Sequence, residues 1–98
     1  MRFLWHDDAV GDLDEIRAYI AQDNPSAATQ VVGRIRSGTE MLMAHPLMGR
    51  LGRVPETREF VFSDIPYIAI YRVNKDSQTI EVLQVVHTSR LYPPKNAK

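Results

Sequence analysis

Arg58-Glu-Phe-Val-Phe62, Tyr67-Ile-Ala-Ile-Tyr-Arg-Val73 and Thr79-Ile-Glu-Val-Leu-Gln-Val-Val86 are three short apolar runs divided by turn signals. Ser63-Asp-Ile-Pro66 ends the first and Asn74-Lys-Asp-Ser-Gln78 ends the second. The pattern predicts a three-stranded antiparallel meander, with simple hairpins at both turns. That register places Phe62 opposite Tyr67, Arg58 opposite Tyr71, and Tyr71 near Glu81. Arg58, Tyr71 and Glu81 would then share one face, unless a slip of one residue scatters them. The third run is nearly apolar on both faces, so one face should meet helices and the other should be partly covered by the tail or by another chain.

The sequence upstream supplies the cover. Phe3-Leu-Trp5 is a β-prone opening, and Asp7 or Asp8 is placed to cap a helix. Ala9, Leu13, Ile16 and Ile20 recur at helical spacing behind it. Asp23-Asn24-Pro25 is a stop and restart, with Asn24 as cap and Pro25 at the first helical position. Ala28, Val31, Val32, Ile35, Thr39, Leu42 and Met43 form the stripe of a second helix ending near His45-Pro46. So short a connection makes the two helices antiparallel neighbours. Gly33 and Gly38 interrupt the second helix, and close approach of the first helix would explain one of them. The expected class is α+β: an N-terminal strand and a two-helix antiparallel hairpin on a small antiparallel sheet, in the order β-α-α-β-β-β. Either edge of the meander would leave the first strand antiparallel.

The 98 residues are read as one domain, 1–98, with residues 88–98 a partly extended tail. A chain this short buries only about 60–65% of its unfolded surface, so a partner covering apolar area would help it. Cysteine is absent, which excludes disulfides and thiolate metal sites and suits an intracellular, cytoplasmic location. No apolar stretch reaches membrane-spanning length, and Met1 opening onto structured sequence argues against a signal peptide. Residues 1–44 hold four Arg/Lys against seven Asp/Glu, and residues 45–98 hold eight against five. The zero net charge therefore hides a basic sheet half and an acidic helical half, without the excess expected of a general nucleic-acid binder.

The loop from His45 to Glu56 carries Gly49-Arg-Leu-Gly-Arg53, which lacks the preceding strand and the lysine of a phosphate-binding loop. Its arginines are either solvated or placed for a contact. The three histidines are too scattered in sequence to suggest a metal site, and no cofactor is expected.

Arg53-Val-Pro-Glu-Thr-Arg58-Glu59, Pro66-Tyr67 through Val73, Ile80-Glu-Val-Leu and Val86-His87-Thr-Ser-Arg90-Leu-Tyr92-Pro93 together resemble the toxins of the RelE/ParE superfamily. Leu4-Trp5, Asp12-Leu-Asp-Glu-Ile16 and Ala44-His-Pro-Leu-Met-Gly-Arg50 match as well, so the resemblance covers almost the whole chain in order. It implies a toxin of a bacterial type II toxin–antitoxin module, with a helical hairpin on a small antiparallel sheet. It also implies inactivation by a small cognate antitoxin whose C-terminal segment wraps the toxin and folds on binding.

The superfamily divides between ParE-like inhibitors of DNA gyrase and RelE-like nucleases that cut messenger RNA on the ribosome. Metal-free cleavage needs a base, an acid and phosphate-gripping cations. Candidates are His87, Arg90, Tyr92, Arg58 and Glu59, each with a structural alternative: a hydrogen-bonded strand end, an ion pair, or a packed ring. The lysine- and arginine-rich face of the nucleases is missing, since the lysines are Lys75, Lys95 and Lys98 alone. The sequence is closer to the ParE-like branch, which implies growth arrest through gyrase, with RNA cleavage as the alternative. Target contact is then expected at Arg90, Tyr92, Arg50 and Arg53, and antitoxin contact at Ala27, Arg34 and Met41. DNA would be met only indirectly, through the antitoxin in a repressing complex.

Overall fold

The computed structural model describes residues 1–89. In chain order the elements are β1 (Arg2–Trp5), α1 (Asp7–Ala21), α2 (Pro25–Glu40), a short 3₁₀ turn (Met41–Met43), β2 (Arg50–Leu51), β3 (Arg58–Val61), β4 (Tyr67–Asn74) and β5 (Thr79–His87). The five strands form one mixed sheet in the order β1-β5-β4-β3-β2, with the helical hairpin on one face. The α+β architecture and the meander are as the sequence implied.

Local chemistry explains the helix ends. Asn24 caps α2, its side-chain oxygen accepting from the Ala27 N–H at 3.0 Å, and Pro25 follows. At α1 the cap position is His6, without a side-chain cap bond, so neither aspartate caps; Asp7 and Asp8 instead lie in the first turn against the helix dipole. The α-helical part of α2 stops at Glu40 and tightens into the 3₁₀ turn before His45. Fewer residues per turn rotate Met43 outward while Leu42 stays fully buried. Of the two glycines, Gly33 faces open space, and it is the Phe62 ring of the sheet, not α1, that crowds Gly38.

The first strand departs from expectation. β1 lies beside β5 in parallel, Arg2 opposite Thr79 and Trp5 opposite Val82. That placement puts Phe3 and Trp5 against the helix-side core of Ala9, Leu13, Val32, Ile35, Phe62, Tyr67, Ala69, Val82 and Val85. The two-residue β2, which the loop reading passed over, pairs Arg50 with Glu59.

Arg58 does lie opposite Tyr71, and the Phe62 N–H donates to the Tyr67 carbonyl. Glu81, however, does not join Arg58 and Tyr71. Ile70 pairs with Gln84 but Tyr71 with Val82, so Leu83 is an extra residue on β5. This bulge sends Val82 to the helix face with Tyr71 and leaves Glu81 on the opposite face beside Arg72. On that outer face Ile68, Ile70 and Val86 make a smaller cluster with Val54 from the β2–β3 connection.

Candidate functional site

Two carboxylates organise the outer face of the sheet. Glu59 on β3 has a side chain only 1% exposed. Its Oε1 accepts from Arg50 Nε and Nη2 at 3.0 and 2.8 Å, and its Oε2 accepts from the Arg53 backbone N–H at 3.1 Å. Arg53 Nε lies 3.7 Å from the same carboxylate. Strand pairing brings Arg50 across from Glu59, and the turn after Leu51 brings Arg53 back over it.

Glu81 on β5 is the second. It accepts from Arg72 Nη2 at 2.9 Å and Asn74 Nδ2 at 3.2 Å, with His6 Nε2 at 2.7 Å. Hydrogen bonds from Arg72 first and His6 second hold its carboxyl at about 2, against a smaller opposing effect of burial. An ionised carboxylate only accepts, so His6 Nε2 carries the proton in this contact. His6 follows β1, whose parallel docking creates the contact; nothing in the local sequence around His6 or Glu81 announces it.

The nuclease candidates do not converge. His87 ends β5 on the helix face, its ring 5.3 Å from Tyr67 in an edge arrangement. Its Nδ1 accepts from the Ser89 N–H at 3.1 Å and contacts Ser89 Oγ at 2.8 Å. In the neutral ring that leaves the proton on Nε2 and no free lone pair for a base. Arg58 pairs four residues further along β4 than His87 does, about 13 Å away at strand rise. Glu59 points to the other face. Arg90 and Tyr92 lie outside the described residues.

Arg58 serves the loop in front of it. Its Nη1 donates to the Gly49 carbonyl at 2.8 Å. Tyr71, fully buried, donates its hydroxyl to the Pro46 carbonyl at 2.7 Å and accepts from the Gly49 N–H at 2.9 Å. Burial raises the Tyr71 phenol above its usual range, partly offset by the Gly49 N–H and the Arg58 charge. A side chain at Gly49 would run into the Tyr71 ring and hydroxyl, so glycine is required by this close approach. The pinned loop leaves Leu47, Met48 and Leu51 exposed, which the sequence reading did not single out.

Of the expected antitoxin contacts, Met41 is exposed and Ala27 half-buried. Arg34 is fastened to the sheet: its Nε donates to Asp64 Oδ2 at 2.7 Å, and its guanidinium carbon lies 5.0 Å from the Phe62 ring centroid. Among the described residues no group of three His, Asp or Glu side chains could hold a metal ion, and no helix is long and apolar enough to cross a membrane.

Two helices on a five-stranded mixed sheet of this order are the fold of the RelE/ParE superfamily toxins. The profile of the ParE toxin of the type II toxin–antitoxin system parDE matches residues 3–92. Y4kP, a toxin-family protein of Sinorhizobium fredii, is 45% identical over 92 residues, covering 94% of this chain and 93% of its own length. Toxin RelE2 of Caulobacter vibrioides is 32% identical over 88 residues, covering 90% and 96%. The chromosomal ParDE toxin–antitoxin system of P. aeruginosa contains a chain that superposes with a TM-score of 0.79 at 27% identity, covering 91% of this chain and 97% of that one. A chain of the E. coli RelBE complex superposes less well, with a TM-score of 0.60 at 14% identity, covering 92% of this chain and 100% of that one, a likeness of fold alone. The chain belongs to the ParE toxin family of type II toxin–antitoxin systems, within the RelE/ParE superfamily.

Proposed function

We propose that this toxin arrests growth by inhibiting DNA gyrase in the cytoplasm, does so by binding rather than by chemistry, and is neutralised by a small antitoxin that folds around it. The observation that carries the reading is the commitment of the outer-face cations. Arg50 and Arg53 are occupied by Glu59, and Arg72 by Glu81. Between them the face is apolar, with Val61, Ile68, Ile70 and Val86. A surface built this way offers little to a phosphate backbone, whose capture depends on cations that release counterions. The divergence of His87, Arg58 and Glu59 argues in the same direction.

The antitoxin partner follows from the family, and Ala27 in the first turn of α2 and the exposed Met41 just past its last residue remain suggested contacts for it. Arg90 and Tyr92 remain target contacts in this reading. The test places the purified toxin in a gyrase supercoiling reaction and, separately, in a ribosome-bound cleavage reaction. Lost supercoiling with no new RNA ends is expected. Site-specific RNA ends that disappear in His87→Ala or Arg90→Ala would replace gyrase with the ribosome.

A further inference from the structure

A groove of about 730 Å³ lies between α1 and the His87 end of β5. β1 accompanies β5 only as far as Val82, and beyond it the edge of the strand faces the helix. The Val85 N–H there donates to Asp12 Oδ2 at 2.8 Å. Asp12, Glu15, Ile16 and Tyr19 share one face of α1 and make one wall of the groove, with Val85 and His87 across from them. Asp12 and Ile16 are half-buried, while Glu15 and Tyr19 are exposed. Two carboxylates line this groove and, among the described residues, no lysine or arginine does, so its charge is negative.

The chain itself leads into the groove. Thr88 is held by its N–H on the Pro66 carbonyl at 2.9 Å, and the Ser89 N–H donates to His87 Nδ1 at 3.1 Å. Ser89 is the last described residue and lines the groove. The sequence then reads Arg90-Leu-Tyr-Pro-Pro-Lys-Asn-Ala-Lys98, with three cationic side chains and no aspartate or glutamate. The Cα of Arg90 lies only about 3.8 Å beyond that of Ser89.

We propose that this groove is the seat of the chain's own segment beyond Ser89, entered by Arg90. The guanidinium meets the carboxylates of Asp12 and Glu15, and the methylene stem lies on Ile16 and the Tyr19 ring. Covalent continuity selects this occupant over a basic segment of another chain. No linker has to be closed, so the tethered arginine is present at an effective concentration that a free partner does not reach. Charge selects it as well, because the two acids of the groove face the three cations of the segment, and half-burial of Asp12 strengthens the attraction beyond that of a pair in open water. The inference goes beyond the gyrase reading. It makes Arg90 an anchor of the terminal arm rather than a contact with the target, and fixes the base of the arm that carries Tyr92.

Limited trypsin digestion of the full-length toxin, followed by mass spectrometry, tests this. The Arg90–Leu91 bond is cut only when Arg90 leaves its seat, while Lys95–Asn96, further along the same segment, serves as the internal reference. Wild type is compared with Glu15→Gln and with Asp12→Asn/Glu15→Gln, in which the asparagine keeps an oxygen for the Val85 N–H. The ratio of cleavage after Arg90 to cleavage after Lys95 should rise roughly tenfold in the double variant and about threefold in Glu15→Gln. Concentrated salt should raise it in wild type. Cleavage after Arg34 and Arg72, inside the folded body, reports unfolding and should stay constant; if the double variant loosens there, Glu15→Gln, altered at an exposed position, decides. A ratio that is the same in all three proteins overturns the proposal, as does one that rises in Glu15→Gln only together with cleavage of the body. These readouts do not depend on the target, so a toxin found to act on the ribosome would end the gyrase reading and leave the seat of Arg90 standing.

Discussion

The hydroxyl of Tyr71, on the central strand, donates to the carbonyl of Pro46 at 2.7 Å, joining residues 25 positions apart. It accepts from the Gly49 N–H at the same time, so one buried oxygen satisfies both sides of a loop that has almost no regular structure of its own. Tyr71→Phe leaves the Pro46 carbonyl and the Gly49 N–H without this partner while keeping the ring. The expected cost is about 1–3 kcal/mol in urea unfolding, with faster amide exchange confined to the loop around Gly49. Unchanged stability and exchange would show that the loop is held by Arg58 and β2 alone.

Glu81 ties β1, β4 and β5 together and links stability to pH. Its carboxyl sits at about 2 in the folded chain against the 4.5 of an unperturbed glutamate. Between those values the unfolded chain binds the proton and the folded one does not, so stability is fully present above about 4.5 and is lost as pH falls toward 2. The contribution is of order 2 kcal/mol after allowing for solvent around Arg72 and His6. Urea midpoints taken from pH 6 to pH 2 should fall in wild type, and more shallowly in Glu81→Gln. Parallel curves for the two proteins would assign acid sensitivity elsewhere.

Glu59 is predicted to act on function as well as stability. Glu59→Gln keeps the shape but removes the charge that holds Arg50 and Arg53. Breaking one side of a buried pair should cost about 2–4 kcal/mol. The freed arginines should at the same time raise salt-sensitive affinity for a single-stranded RNA oligonucleotide. An increase in stability with no gain in RNA affinity would show that Glu59 does not restrain Arg50 and Arg53.

The two glycines of α2 should respond with opposite signs. Gly33→Ala meets open space and removes a helix-interior glycine, so it should stabilise by about 0.5–1 kcal/mol. Gly38→Ala drives a methyl into the buried Phe62 ring and the Arg34 guanidinium, which the Asp64 pair holds in place, and should lower the melting temperature. Differential scanning of both variants decides the point; a stabilised Gly38→Ala would mean that the Phe62 ring has room to turn.

What the amino-acid sequence determined unaided is what short-range physics governs. The 3.6-residue spacing of Ala9, Leu13 and Ile16, the Asn24-Pro25 start, and three β-prone runs divided by turn residues led to the helices, the meander and the pairing of Arg58 with Tyr71. The order of motifs along the chain was enough to reveal the superfamily. The direction of β1, the bulge at Leu83 and the grouping of His6, Arg72 and Asn74 around Glu81 depended on the tertiary structure. So did the occupation of Arg50 and Arg53 by Glu59 and the exposure of Leu47 and Leu51 beside Arg58. These arise from contacts between residues as far apart as His6 and Glu81, 75 positions, or from one unpaired residue that turns a strand's side chains over. No local pattern carries that information, because it depends on which distant surface happens to offer a charge, a carbonyl or an apolar patch at the right place.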